Sequence, residues 1–434
     1  MSGKQSVISL FVLFVFLAAC SGSQQTETQK TEPPSPYLMN FSNIATVPDQ
    51  VLPPSRIQSI QLERIGDPSA PPVIRLNSRD RLLLSFDEMS NESHMFTVKI
   101  THHNRDWGQS SLLPIDYLGN MSQDQITDGR ASSVQNPSYT HYKYEFPNNT
   151  LTFLVSGNYM LHIYDYDTGK ELFSLPFFVS ENRNLVTTRV ETLYNEGPAS
   201  LQYHQLFSSY HYPDFVKFPQ FNLHVVYAQN RFWGRARKAD IYDISQPGVL
   251  DVHNSRNNLF VANYGFLDLN LQSFQQPQYG IVTYRPETTP PTVILRTDTP
   301  SLSTASGIRP FFKFGQIDNH SDAQYLRVHF SLNGDKIVDP NASVYLIGSF
   351  NNWSIQSGGK MNYDPSSGLF KGAVEIKQGK YNYKYAVVEG NKINDLRLDT
   401  NFASTRQEYV VFVYYRDQTR QYDRLLVTND FFSH

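Results

Sequence analysis

The sequence predicts an all-β protein, with three consecutive immunoglobulin-like β-sandwich domains behind an N-terminal leader and a flexible tether. Three observations carry that expectation. Aromatic residues make up 14% of the chain, nearly all of them Phe (29) and Tyr (27), ring types that suit a pleated, half-buried surface. Apolar and polar residues alternate over several short segments, as strands with one buried face require. Stretches with the periodicity of an amphipathic helix are scarce.

The 434 residues leave room for two to four domains, at about 100–200 residues each. A net charge of −3 offers no basic surface, which excludes nucleic acid as the default partner. The one cysteine excludes an intramolecular disulfide and any thiolate cluster for zinc or iron–sulfur.

That cysteine closes the leader. Lys4 precedes an apolar run over residues 7–19 that is broken only by Ser9. The run is shorter than the ~20 apolar residues a bilayer span needs and suits the h-region of a signal peptide. It ends Leu17-Ala18-Ala19-Cys20, which resembles the bacterial lipobox. The resemblance implies a lipoprotein signal peptide over 1–19, a diacylated Cys20 as first mature residue, and a lipid bilayer as partner. Residues 20–55, rich in Ser, Thr, Gln and Pro, read as a lipidated flexible linker. No acidic cluster follows Cys20, so the expected site is the outer membrane, facing the periplasm.

Beyond residue 55 the pattern is strand after strand. Phe96, Val98 and Ile100 alternate with polar neighbours, as do Leu326, Val328, Phe330 and Leu332. Asn333-Gly334 then signals a hairpin turn, and residues 383–398 with Glu389-Gly390-Asn391 at their centre read as another hairpin. Residues 189–206 are the best stretch for a helical turn or two, broken by Gly197-Pro198. A polar break at 180–184 and a Pro/Thr-rich stretch at 286–306 suggest boundaries, giving β domains over 56–180, 181–295 and 296–434.

A search for chemistry returns little. The chain has no G-x-S-x-G elbow, no H-E-x-x-H and no Gly-rich phosphate loop. His102 and His103 would point to opposite faces of a strand, so they read as strand-end side chains bonded to the following loop. Tyr203-His204 and Tyr210-His211-Tyr212 read as aromatic pairing on a sheet or loop, and Asp87-Glu88 as solvated turn residues. The expectation is a protein that is not an enzyme, with no cofactor, no metal and no catalytic residue.

Two stretches resemble a known family. Leu84-Ser85-Phe86-Asp87, the segment 102–107, Tyr139-Thr140-His141-Tyr142, Phe146-Pro147-Asn148 and Ser156-Gly157-Asn158-Tyr159 form the first. Met361-Asn362-Tyr363-Asp364, Lys377-Gln378-Gly379, Tyr381-Asn382-Tyr383-Lys384-Tyr385, Val413-Tyr414-Tyr415-Arg416 and Tyr422-Asp423-Arg424-Leu425 form the second. In this order they resemble the plug-protein family of the type IX secretion system, over roughly residues 56–425. Where that family commonly carries cysteine, this chain has His103. The resemblance implies a non-catalytic plug or accessory subunit that closes the periplasmic end of the large outer-membrane translocon barrel.

A second likeness lies in the last domain. The segment Val344-Tyr345-Leu346-Ile347-Gly348-Ser349-Phe350-Asn351-Asn352-Trp353, with Tyr383-Lys384-Tyr385, resembles the glycogen-binding carbohydrate modules. It implies an alternative, a glycan-binding periplasmic lipoprotein using Trp353 as stacking platform and Lys384 as hydrogen-bond donor. Those modules usually add a tryptophan in the next loop; here residues 389–395 hold no aromatic.

Overall fold

Six sheets and a two-stranded ribbon account for nearly all regular structure in the computed structural model, which describes residues 46–134, 136–194, 202–262, 264–272, 280–299, 322–334, 342–355, 357–390, 392–398 and 406–433. Residues 36–434 form one compact unit. The leader, Cys20 and the linker as far as residue 45 lie outside the described residues, as do Gly197-Pro198 and residues 300–306.

The sheets pair around three apolar cores. In the N-terminal unit, Ile57–Arg64, Leu82–Glu88, Thr140–Phe146 and Gly129–Ala131 form one sheet. Val73–Arg75, Glu171–Ser180, Gly157–Asp165, Phe96–His103 and Gln123–Ile126 form the other. Phe96, Val98 and Ile100 point into the shared core with Phe86, Tyr142, Tyr159, Phe173 and Phe177, as the alternation predicts. Ring contacts such as Phe86 to Phe96, at 5.1 Å and 82°, use the edge-to-face geometry that adds to area burial.

The middle core lies between two further sheets. One contains Val186–Leu193, Tyr203–His211, Val249–His253 and Ile241–Asp243; the other contains Arg237–Lys238, Leu223–Gln229, Glu408–Asp417 and Tyr422–Phe432. The C-terminal core is shared by a sheet of Leu267–Asn270, Lys380–Glu389 and Ser343–Gly348 and a sheet built on Tyr325–Asn333 and Leu369–Lys377.

Several sequence expectations change here. Residues 189–206 hold no helix among the described positions, because Val186–Leu193 pairs antiparallel with Tyr203–His211. Val186, Thr187, Thr188, Val190 and Thr192 are β-branched and favour that pairing. Asn333-Gly334 does not turn into a hairpin with the next strand, since Tyr325–Asn333 pairs with Thr292–Leu295 and Leu369–Lys377. The hairpin at Gly390 is present, but its return strand is only Lys392–Asn394. Residues 46–55 are docked rather than free: Ser174 donates from its backbone N to the Val51 carbonyl at 3.0 Å, and Val47 is 3% exposed.

The sheets also cross the expected boundary between the middle and C-terminal domains, whereas the two N-terminal sheets stay within residues 57–180. Leu267–Asn270 and Thr292–Leu295 join the C-terminal sheets, while the terminal hairpin Glu408–Asp417/Tyr422–Phe432 joins the middle unit by pairing with Leu223–Gln229. The reason is visible in Glu408–Asp417. Val411 and Val413 face the middle core, whereas Val410, Phe412 and Tyr414 on the opposite face pack against the N-terminal unit. A strand buried on both sides reads as an uninterrupted apolar run.

Candidate functional site: the seams and one apolar end

The sequence-predicted site residues are placed as follows. Cys20 lies outside the described residues. Trp353 is 7% exposed, with Phe266 at 5.0 Å and Phe232 at 5.5 Å in edge-to-face contact. Lys384 is 3% exposed and sits 3.6 Å from the Tyr264 ring centroid. Trp353 belongs to the apolar seam between the middle and C-terminal units, where it packs as core rather than as an open stacking face, and Lys384 lies against Tyr264 of the same seam. Trp353 takes a left-handed φ of 57° directly after Asn352 at 53°, an uncommon conformation for a bulky residue.

His102 and His103 bond to the following loop. His102 Nδ1 pairs with Ser110 Oγ at 2.9 Å and His103 Nδ1 with the Trp107 carbonyl at 2.8 Å. Burial pushes His102 down to about 4, so it is neutral at physiological pH. His204 Nδ1 pairs with the Tyr409 hydroxyl at 2.8 Å on the sheet. Among the described residues no group of three His, Cys, Asp or Glu could hold a metal ion.

What the structure brings together instead are three seams, each tying two units. Between the N-terminal and middle units, Phe178 packs on Phe412 with ring centroids 4.5 Å apart and planes tilted by 36°, backed by Trp107, Trp233, Val410 and Tyr414. Ion pairs border it: Arg105 to Asp423 at 2.8 Å and Arg424 to Glu181 at 2.7 Å. Tyr414 donates to Asn158 Oδ1 at 2.7 Å, and the Leu425 backbone N donates to Ser156 Oγ at 3.0 Å. The entry segment closes the same seam over Gly234, where a Cβ would stand 1.8 Å from the Thr46 carbonyl oxygen. Only glycine allows that approach.

Between the N-terminal and C-terminal units the seam is polar. Asp87, expected as a solvated turn residue, is fully buried at the end of Leu82–Glu88. It accepts from Lys377 Nζ at 2.6 Å and Tyr325 OH at 2.7 Å, and pairs with His141 Nδ1 at 2.6 Å. Burial opposes its charge, but Lys377 and His141 outweigh that and hold the carboxyl below its ordinary range. Tyr139 donates to the Ala323 carbonyl at 2.7 Å, and the Lys377 ammonium lies 4.3 Å from its ring centroid. Glu88, also buried, binds Arg56 at 2.5 Å and His94 at 2.7 Å.

The third seam, between middle and C-terminal units, has a second buried carboxylate. Asp395 receives Arg235 at 2.9 Å and 3.2 Å, and Tyr264 also donates to it. Burial would raise its pKa, yet the charges of Arg235 and Lys384 together with these hydrogen bonds hold it down at about 2. Sequence reasoning missed both hubs, because nothing local marks an acid whose partners lie 54 to 290 positions away.

At one end, two single-turn helices expose apolar side chains. Pro114–Tyr117 and its flank present Leu113 at 64% and Ile115 at 79% exposure; Pro219–Asn222 and its flank present Phe218 at 68% and Phe221 at 70%. Both flank the turn between the terminal strands: Gln418 donates to Asn222 Oδ1 at 2.8 Å, and Arg420 lies 3.8 Å from Asp116.

Comparison with known proteins adds the following. Residues 57–181 match the family model described as Type 9 secretion system plug protein 1st domain, so the chain carries an N-terminal domain of that kind. A hypothetical protein from Parabacteroides merdae has a similar fold, with a TM-score of 0.79 and 24% identity over 88% of this chain and 99% of that one. An alkylpurine DNA glycosylase from Pseudomonas fluorescens, at 15% identity, covers 29% of this chain and 30% of its own with a TM-score of 0.18, too low to carry an argument. No curated protein matches the chain.

Proposed function

We propose that the protein is a non-catalytic, lipid-anchored plug or accessory subunit of the type IX secretion translocon, closing the periplasmic end of its large outer-membrane barrel. The match of residues 57–181 to the plug-protein first domain carries this reading. A barrel that passes folded cargo leaks when empty, and a stiff body can cover its mouth. Three seams with buried ion pairs and close ring contacts supply such stiffness, since packed interiors transmit strain rather than absorb it. Acylation of Cys20, removal of residues 1–19 and a periplasmic position on the outer membrane belong to the same proposal, in which the anchor raises the local concentration of plug at the pore. This reading places the barrel contact at Leu113, Ile115, Phe218 and Phe221, whose exposed apolar surface has the character of an interface core.

Purification of tagged full-length protein from membranes tests the reading. The barrel should come down with it, and a deletion strain should admit large antibiotics or secrete less cargo. Failure of both outcomes would end the proposal. The glycan-binding alternative is tested by titrating maltooligosaccharides into wild type and Trp353→Ala; the buried indole predicts binding by neither.

A further inference from the structure

Ile57–Arg64 is an edge strand, paired with Leu82–Glu88 on one side only. A crevice runs along it as two adjoining cavities of about 490 Å³ and about 210 Å³, which share Ile60 and Asn352 as walls. Gln61 lines the smaller one at 6% exposure, and its buried Nε2 has no hydrogen-bond partner. A buried N–H left unmet costs free energy and calls for an acceptor. Apolar side chains, among them Ile57, Leu62, Leu175, Phe350 and Val374, supply much of the remaining wall.

The chain itself enters at this crevice. Thr46 and Gln50 wall the smaller cavity, and Pro53, Pro54 and Ser55 wall the larger. Residues 47–50 form a tight reverse turn. Gln50 N donates to the Val47 carbonyl at 3.3 Å, Pro48 holds the second position, and Asp49 takes the third at a left-handed φ of 59°. The Gln50 side chain ties the turn further, accepting from Val47 N at 3.1 Å. A turn of this kind sends the incoming chain back beside the outgoing one, and here the outgoing one walls the crevice. The upstream sequence suits that path. Residues 37–45 hold Tyr37, Leu38, Met39, Phe41 and Ile44 and carry no charge to desolvate, whereas residues 21–36 contain no aliphatic or aromatic side chain beyond proline. The compact body reaches back to residue 36.

We infer that residues 37–45 bind in this crevice as an extended strap beside Ile57–Arg64, with a carbonyl of the strap accepting from Gln61 Nε2. Nine extended residues span about 30 Å at ~3.3 Å each, which matches the eight-residue strand they cover. The order of the cavities gives the direction. The strap passes the larger cavity first and reaches the smaller at Thr46, so it runs parallel to Ile57–Arg64. A bare edge strand offers its backbone groups to other chains, and a strap from the same molecule closes it at high effective concentration. The strap also bears on all three units, since Gln61, Trp233 and Trp353 wall the same cavity. This inference rests on the crevice and the chain entering it, and stands whether or not the plug reading does. Under the proposed anchoring at Cys20, docking leaves residues 21–36 as the free tether, with a reach of at most about 55 Å.

Hydrogen–deuterium exchange on the full-length protein, read peptide by peptide, tests the strap. Amides of residues 37–45 should exchange at least about tenfold more slowly than those of residues 21–36 in the same molecule. Phe41→Asp/Ile44→Asp should abolish that difference and speed exchange within Ile57–Arg64, while the three cores exchange as in wild type. Gln61→Leu, which removes the donor and keeps similar bulk, should cut the protection of residues 37–45 by about fivefold, the scale of one hydrogen bond. Free exchange of residues 37–45 in wild type would overturn the inference and leave the crevice to an extended segment of another protein. Protection undiminished by Gln61→Leu, or exchange within Ile57–Arg64 unchanged by Phe41→Asp/Ile44→Asp, would overturn it as well.

Discussion

Two seams hold the N-terminal unit, and they are built from opposite materials. Against the terminal hairpin it presents rings: Phe178, Trp107 and Met160 on Phe412, Tyr414 and Leu425, with ion pairs kept to the border. Against the C-terminal unit it presents Asp87, a fully buried carboxylate ringed by Lys377, His141 and Tyr325. The first gains from area and tolerates imperfect geometry. The second is high in stakes, since each partner is buried at a cost that only the others offset. The two seams therefore respond differently to truncation: the apolar one loses contact area, whereas the polar one is left with an unpaired buried charge.

The largest expected effect breaks the polar seam. Asp87→Ala strands the Lys377 ammonium and should lower unfolding free energy by about 3–5 kcal/mol, read by urea denaturation. Asp87→Leu combined with Lys377→Met should recover much of that loss, because the unpaired charge disappears with its partner. Phe412→Ala should cost about 3 kcal/mol through a cavity in the apolar seam, with little dependence on pH.

Acid sharpens the contrast. Asp395 in the third seam titrates at about 2 when folded against a reference of 3.8, so it stabilises the fold above the reference value. That contribution, about 2–3 kcal/mol by linkage, is lost as pH falls through about 2. His102 and His204 act earlier. Burial depresses each from 6.5 to about 4, so their unfolded forms take up protons first and stability falls from about pH 6.5 down to about 4. Thermal midpoints measured from pH 7 to pH 4 should decline, and His204→Gln should flatten part of the slope.

Smaller effects follow. Gly234→Ala should cost about 1–2 kcal/mol by pushing residues 46–47 off the apolar seam, visible as protease sensitivity near the entry segment. Arg81→Ala, which removes a half-exposed pair with Glu145, should change stability by no more than about 0.5 kcal/mol.

The sequence made one-sided strands legible and hid two-sided ones. Phe96–His103 shows its buried face through alternation, and its two histidines were read correctly as bonded to the next loop. Glu408–Asp417 is apolar on both faces, so periodicity could not say that one face meets Leu223–Gln229's core and the other the N-terminal unit. Its pairing across some 180 positions carries no local mark. The same holds for Asp87 and Asp395, whose ion-pair partners Lys377 and Arg235 come from other units. Trp353 was legible as a residue worth naming, but its burial depends on Phe232 and Phe266, over 80 positions earlier.

The central claim is attachment of this body to the translocon through its apolar end. Membrane co-purification of the barrel with tagged wild type and with a Phe218→Ser/Phe221→Ser variant tests it most directly. The account predicts that wild type brings down the barrel and that the variant, folded to the same thermal midpoint, loses most of it. A barrel that never co-purifies with wild type would contradict the account.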